Sequence, residues 1–211
     1  MKIGIIGTGN VGGELGKGWL KKGHDVIFGI RNPQSGKAQA LAQSLGQKVR
    51  MVPVSELAAH REVIVLATPW AGAENAIKSS GNLAGKILVD STNPIAEGFK
   101  GLSVGLNTSA GEQVASWARG ARVVKAFNTT GAGNMANPIY GTQAVTMFIC
   151  GDDPEAKKIV MKLAEDLGFD PCDTGPLYHA RYLEPLAMLW VDLAYVQKMG
   201  PNFAFKLLKR Q

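Results

Sequence analysis

The sequence predicts an α/β protein built on a doubly wound, mostly parallel sheet with a small C-terminal α/β part. Three observations carry that prediction. Apolar, strand-like runs alternate with helix-length segments through the first half; a glycine turn follows directly on the first run; and strand and helix signals resume after a segment rich in Gly and Asn. With 211 residues, of which 45% are hydrophobic and 19% charged, the chain can bury one sizeable core, or one full domain and a small second one.

Lys2-Ile3-Gly4-Ile5-Ile6 reads as a buried strand, and Val11, Leu15 and Trp19 lay out a helical stripe soon after it. Between them stands Gly7-Thr8-Gly9-Asn10-Val11-Gly12. Strand, glycine turn and helix in this order mark a Rossmann-like dinucleotide site. Gly7 permits the tight turn, Gly9 lets the backbone approach a pyrophosphate, and Gly12 lets the helix pack close on the strand. The free amides and positive dipole of the helix start then face the phosphates.

Residues 25–29 form the expected second strand, 37–45 a helix, 49–52 a short third strand and 63–67 a fully apolar fourth, ended by Thr68-Pro69-Trp70. A fifth strand covers 87–90. A glycine- and serine-rich loop at 98–111 leads to a helix near 113–118, and 122–127 is a sixth strand. Residues 128–141 are expected to be a long loop, and such loops in compact domains usually carry function. A strand at 145–150 follows, then a helix that runs to 167, with Asp153 as its cap and Pro154 at its first position. The chain closes with a short strand at 169–173, a Gly175-Pro176 turn and an apolar helix over 181–199 that contains Pro185. The expected division is a nucleotide-binding domain at 1–126 and a small acceptor-binding or dimerisation part at 127–211.

Enzymes that prefer NAD place an acid about 20 residues beyond the glycine turn, for the ribose 2′-hydroxyl. Here no Asp or Glu occurs from Val26 through Ser55, and the second strand ends at Arg31. A planar guanidinium suits a 2′-phosphate, with Asn32, Ser35 and Lys37 near enough to assist, so the expected cofactor is NADP. The net charge of +6 is scattered, without the aromatic-interleaved stripe of a nucleic-acid surface, and a site for anionic small molecules explains it. Cys150 and Cys172 lack metal or CxxC spacing and are read as reduced thiols. No apolar run reaches the length of a membrane span and no leader is recognisable, so the expected location is the cytoplasm.

His24, His60 and His179 do not pair at metal-ligand spacing, and no metal site is expected. His179 follows the Gly175-Pro176-Leu177 turn, which is expected to face the site. No nucleophile motif stands out, and no residue is assigned a catalytic role. Reduction of an alcohol or carbonyl needs a positioned acid or base, whereas hydride transfer between nicotinamide and a flavin-like ring needs mainly stacking and distance. A reductase of imines or hydroxy acids is the alternative enzyme reading. A redox sensor without turnover is the alternative outside catalysis.

The chain resembles the NADPH-dependent coenzyme F420 reductases, in particular their bacterial relatives, and is similar to the cytosolic NADP-binding domain of the STEAP metalloreductases. The resemblance rests on the Gly7 to Gly12 turn, Arg31, Thr68-Pro69-Trp70, Lys125-Ala126-Phe127-Asn128-Thr129, Gly151-Asp152-Asp153, Arg181-Tyr182-Leu183-Glu184-Pro185 and Asn202-Phe203-Ala204-Phe205-Lys206. It implies a pyrophosphate site at Thr8, Gly9, Asn10, Val11 and Gly12 and a 2′-phosphate site at Arg31. Pro69 and Trp70 would flank the nicotinamide, and Asn128, Thr129 and Met135 would line a pocket for a deazaflavin (coenzyme F420) or flavin. In that pocket Gly131 and Gly133 leave room for a flat ring and Asn128 offers a donor to ring carbonyls. A small-molecule electron acceptor and a homodimer are the implied partners. Leu183, Leu186, Leu189, Trp190 and Leu193 either complete the core or form the dimer face. The resemblance leaves open which acceptor is physiological; Ile30 stands where archaeal members often carry Ser or Thr.

Overall fold

The computed structural model describes residues 1–46 and 49–210. Its first half runs β1 (Lys2–Ile6), α1 (Asn10–Lys21), β2 (Asp25–Ile30), α2 (Gly36–Leu45), β3 (Arg50–Pro53), α3 (Val54–His60), β4 (Val63–Leu66), α4 (Ala73–Lys78), β5 (Ile87–Asp90), α5 (Ala110–Trp117) and β6 (Arg122–Lys125). The second half adds α6 (Ala132–Ala136), a hairpin of β7 (Ile139–Tyr140) and β8 (Gln143–Ala144), then β9 (Thr146–Gly151), α7 (Pro154–Leu167), β10 (Asp170–Asp173) and α8 (Ala180–Val191).

One sheet holds eight of these strands in the order β10-β9-β6-β5-β4-β1-β2-β3. Six are parallel, β9 runs antiparallel to β6, and β10 is parallel to β9. The strand order reverses between β1 and β4, and open α/β sheets bind ligands at the carboxyl ends of strands beside such a reversal. Both sheet faces are covered, as all-parallel strands require. One face buries Leu15, Trp19, Phe28, Val160 and Leu163, and the other Leu57, Ile64, Ile77, Leu88 and Val114.

The expected division at 126/127 does not coincide with a break in the sheet. Strand β9 pairs with β6, and Met147 and Ile149 share a core with Ile3 and Leu15, so the C-terminal part extends the first sheet. Residues 128–141 are also more ordered than expected, since they contain α6 and the first strand of the hairpin. Their small residues satisfy no strong periodicity, and packing of α6 on α1 decides the outcome. Helix α5 starts at Ala110, with Ser109 accepting from the Glu112 amide at 3.1 Å, earlier than the expected 113. The last helix ends at Val191 and continues as a π-helical turn over Asp192–Val196. No helix among the described residues is long and apolar enough to cross a membrane.

Strand β9 runs antiparallel to β6, with Cys150 beside Lys125, and β10 ends with Asp173 beside Ile149, so the end of β10 is level with the carboxyl end of β6. The Gly151 amide donates to Gly175 O at 3.0 Å, and the His179 ring is bonded to Thr174 O. The Gly175 turn and His179 follow β10, the edge strand, two strands beyond β6. Helix α8 brings the chain back along the sheet, placing Glu184 against β6 and Leu183 against Asn128.

Candidate functional site

Register sets the site's floor. Ile6, Leu66, Asp90 and Lys125 stand side by side on β1, β4, β5 and β6, so Gly7, Ala67, Ser91 and Ala126 leave the sheet together. Gly7 has φ +119°, where a side chain would be strained and would also meet the Ala67 carbonyl. A Cβ on Gly12 would stand 2.5 Å from Gly7 O, which explains the close approach of α1 to the turn. Gly9, the residue before α1, faces open space. No side chain caps α1 and no acid lies in its first turn, so its amides are free for an anion. Thr8, Asn10 and Val11 fall on this loop and helix start, as expected.

Beyond β2, Arg31 is exposed and makes no ion pair among the described residues. Asn32 and Ser35 are occupied locally. Asn32 Oδ1 accepts from the Gln34 amide at 3.0 Å, and Ser35 Oγ caps α2 by accepting from the Ala38 amide at 3.4 Å. Both bonds use the side-chain oxygen as acceptor, which shapes the turn between Arg31 and α2 and leaves Asn32 Nδ2 and the Ser35 hydroxyl able to donate. The side chain of Lys37 lies outside the described residues.

Five buried side-chain polar atoms lack a hydrogen-bond partner among the described residues. Arg61 Nε and Arg122 Nε are at the amino edge, but Thr68 Oγ1, Ser91 Oγ and Asn128 Oδ1 sit just past the carboxyl ends of β4, β5 and β6. Leaving such an atom unsatisfied costs about 1–3 kcal/mol, so three on adjacent strands mark a place where something outside the chain completes the bonding. With the open Gly9 turn and the free α1 amides, these atoms fit a dinucleotide laid across the switch point. Arg31 is then at its phosphate end and β4–β6 at its nicotinamide end.

Asn128 differs from expectation. Its Nδ2 donates to Asn93 Oδ1 at 3.0 Å and to Leu183 O at 3.4 Å, so the free atom is an acceptor and not the expected donor. Phe127 before it is buried with φ +60°, a costly conformation for a bulky residue, with its ring edge-on to Trp19 and Phe169. Thr129 is buried beside it. Met135 does not line a pocket. It is 1% exposed and packs in the core under α1, because α6 turns that side inward and leaves Gly133 facing out. Trp70 is committed to stacking on Trp117, with centroids 5.3 Å apart, so the exposed Pro69 is the freer member of that pair.

Beneath this edge lies a charge cluster that motif reading missed. Lys125 Nζ donates to Asp90 Oδ2 at 2.8 Å, Glu184 Oε1 at 2.9 Å and Thr92 O at 2.6 Å, and all three ionisable residues are at most 1% exposed. Asp90 Oδ1 also accepts from the Thr92 amide and hydroxyl, and Glu184 from the Ala110 and Gly111 amides that open α5. Burial pulls the Lys125 ammonium down, yet the two adjacent carboxylates outweigh it and hold its pKa above the ordinary lysine value. Burial pushes the neighbouring Cys150 thiol up to about 12. The cluster locks β5, β6, α5 and α8 together. A usable signal existed in the sequence: Asp90 ends an otherwise apolar strand, and Lys125 follows the apolar pair Val123-Val124.

Among the described residues no group of three or more His, Cys, Asp or Glu comes together to hold a metal ion. Residues 2–94 match the family model described as NADP oxidoreductase, coenzyme F420-dependent. The chain is 35% identical over 193 residues to metalloreductase STEAP3 of Rattus norvegicus, covering 89% of this chain and 37% of the relative's length. It is 28% identical over 210 residues to the F420-dependent NADP reductase of Methanocaldococcus jannaschii, covering 92% of each. A crystal structure of a candidate F420-dependent NADP reductase from Arthrobacter sp. FB24 superposes with a TM-score of 0.90 at 32% identity, over 99% of this chain and 100% of that one. The fold class and NADP as the expected cofactor agree with these likenesses, and the chain belongs to the family of coenzyme F420-dependent NADP oxidoreductases.

Proposed function

We propose that the chain transfers a hydride between NADP(H) and a deazaflavin (coenzyme F420) or a flavin, held together over the carboxyl ends of β4, β5 and β6. The observation that carries this reading is the row of unpartnered polar atoms Thr68 Oγ1, Ser91 Oγ and Asn128 Oδ1, continuous with the open glycine turn. The bound nicotinamide supplies or takes the hydride. The chain binds and orients: α1 amides hold the pyrophosphate, Arg31 the 2′-phosphate, and the three strand ends the nicotinamide half. No acid or base is required of it. The ionised groups nearest that edge, Asp90, Lys125 and Glu184, are sealed and bonded to one another, so they suit holding the floor and not passing a proton to substrate. The names of the Methanocaldococcus and Arthrobacter relatives support the deazaflavin as acceptor.

The 35% identity to a metalloreductase favours one further acceptor class, a chelated metal ion reduced as terminal substrate, although the chain spans only 37% of that relative. A cytoplasmic homodimer completes the proposal; Tyr182 and Leu189 on α8 offer exposed apolar surface for it. The test is NADPH oxidation, followed by absorbance, with coenzyme F420, flavins and a ferric chelate, beside mass identification of any copurified cofactor. Reduction of a deazaflavin or flavin is expected. NADPH binding without reduction of either, alongside turnover of an imine or carbonyl compound, would overturn the proposal. Gly133→Trp adds bulk where nothing lies within 4 Å of an added Cβ. It is expected to leave NADPH affinity within about threefold while weakening acceptor reduction.

A further inference from the structure

We infer that Asn128 Oδ1 is a fixed hydrogen-bond acceptor that reads an amide N–H on a ring bound at the carboxyl edge. That N–H belongs to the nicotinamide carboxamide or to the imide of a deazaflavin or flavin. The inference rests on the proposed function and adds the residue that selects the ring.

An asparagine amide can ordinarily present either end to a ligand, but here two main-chain carbonyls decide the orientation. Asn93 Nδ2 donates to Asn128 O at 2.8 Å, which turns Asn93 Oδ1 toward the Asn128 side chain. Asn128 Nδ2 then donates to Asn93 Oδ1 and to Leu183 O. Rotating the Asn128 amide would set its oxygen against both of those acceptors. Rotating Asn93 as well would turn its oxygen onto Asn128 O. A main-chain carbonyl cannot exchange roles, so Oδ1 stays the unpartnered atom. The support beneath is equally rigid: Asp90 and Lys125 pin Thr92 on one loop, and Phe127 holds its left-handed turn on the other. Asn128 is 4% exposed, and this oxygen has no partner among the described residues.

An acceptor held this way is satisfied only by a donor, which excludes a carboxylate or phosphate at this position. The next strand ends carry the unpartnered hydroxyls of Ser91 and Thr68, which can donate. One fixed acceptor near hydroxyl donors complements a group with N–H and C=O side by side. Both the carboxamide of nicotinamide and the imide of a flavin-like ring have that edge. The strand order sets the reach, since β6 is the third strand from the β1 turn, and strands about 4.8 Å apart place Asn128 at the outer end of the nicotinamide half.

The test compares affinities of two ligand pairs for the full chain. In the first pair, NADP is set against its 3-acetylpyridine analogue, in which a methyl group replaces the carboxamide nitrogen. In the second, lumiflavin is set against N3-methyl-lumiflavin. About tenfold weaker binding of the methyl partner is expected in one pair, and the pair that responds names the ring. Asn128→Val should bring that ratio to within twofold. Asn93→Ala leaves Asn128 in place but releases its lock, and should bring the ratio below threefold; it keeps the test decisive if the valine variant does not fold. Normal NADP binding with both ratios within twofold in the unmodified chain would overturn the inference and leave the proposed function standing. Full discrimination in either variant would overturn it too. A chain that binds no NADP would overturn the proposed function, and this inference with it.

Discussion

Arg31 offers the sharpest quantitative test of the nucleotide site. It is exposed, has no ion-pair partner among the described residues and follows β2 directly, so its guanidinium is free to meet a 2′-phosphate. Two estimates agree on the size of the effect. Charge-assisted hydrogen bonds contribute about 1.5–3 kcal/mol. A unit charge 4 Å from a dianion in a bulk-water dielectric gives about 2 kcal/mol. Each ~1.4 kcal/mol is tenfold in affinity, so NADPH should bind at least tenfold more tightly than NADH. Arg31→Ala should bring the two nucleotides to within about twofold by weakening NADPH alone, and Arg31→Glu should abolish or reverse the preference, since an acid there suits a free 2′-hydroxyl. Because the contact is exposed, the preference should shrink as ionic strength rises toward the regime where the Debye length is about 8 Å. Fluorescence titration at two salt concentrations measures all of this. Equal affinities in the unmodified chain, or an unchanged preference in Arg31→Ala, would refute the assignment.

Lys125→Met should destabilise the fold by about 3–5 kcal/mol, read as a lower urea midpoint, because Asp90 and Glu184 are left buried and uncompensated; an unchanged midpoint would show that the cluster is hydrated in solution. His179→Ala should leave the hydride-transfer rate within about threefold, since its ring is bonded to Thr174 O beyond the edge strand β10, two strands from β6. A fall of about 10² or more with NADPH binding intact would restore an acid–base role. Native protein at pH 8 should take up one equivalent of a thiol alkylating reagent, at Cys172, and two when unfolded: Cys150 is inaccessible and its pKa of about 12 leaves almost no thiolate. Labelling of Cys150 in the native state would contradict the packing around Lys125.

The parallel sheet was legible because its strands are short, apolar and fully buried, and because Gly7, Gly9 and Gly12 stand at spacings that only a turn under a helix requires. The position of Arg31 directly after β2 was legible for the same local reason. What escaped depends on tertiary contact. Nothing in residues 132–136 announces α6, since Ala, Gly and Asn acquire a helix there only by packing on α1, and the same packing takes Met135 into the core. The direction of β9 relative to β6 also has no local signal. The polarity of Asn128 is the reverse of that expected, because its donors are consumed by Asn93, 35 residues away, and Leu183, 55 residues away.

The buried ions and the unpartnered atoms belong to one arrangement. On the α5 face of the sheet the strands are apolar through Leu88 and Val123, then change to Asp90 and Lys125 at the last paired register. A hydrophobic pair there would pack the sheet as well, and replacing buried ion pairs with apolar residues is often neutral or stabilising. The ions instead supply direction. Asp90 Oδ1 fixes the Thr92 amide and hydroxyl, Lys125 takes Thr92 O, and Glu184 brings α8 close enough for Leu183 O to hold Asn128. Each of those bonds sets the path of a loop that carries an unpartnered oxygen at Ser91 or Asn128. Local rules are broken at adjacent places, a buried charge below and unsatisfied polar atoms above, and such clustered violations are expected where a fold serves a ligand rather than itself. A chain selected for stability alone would have no reason to keep either.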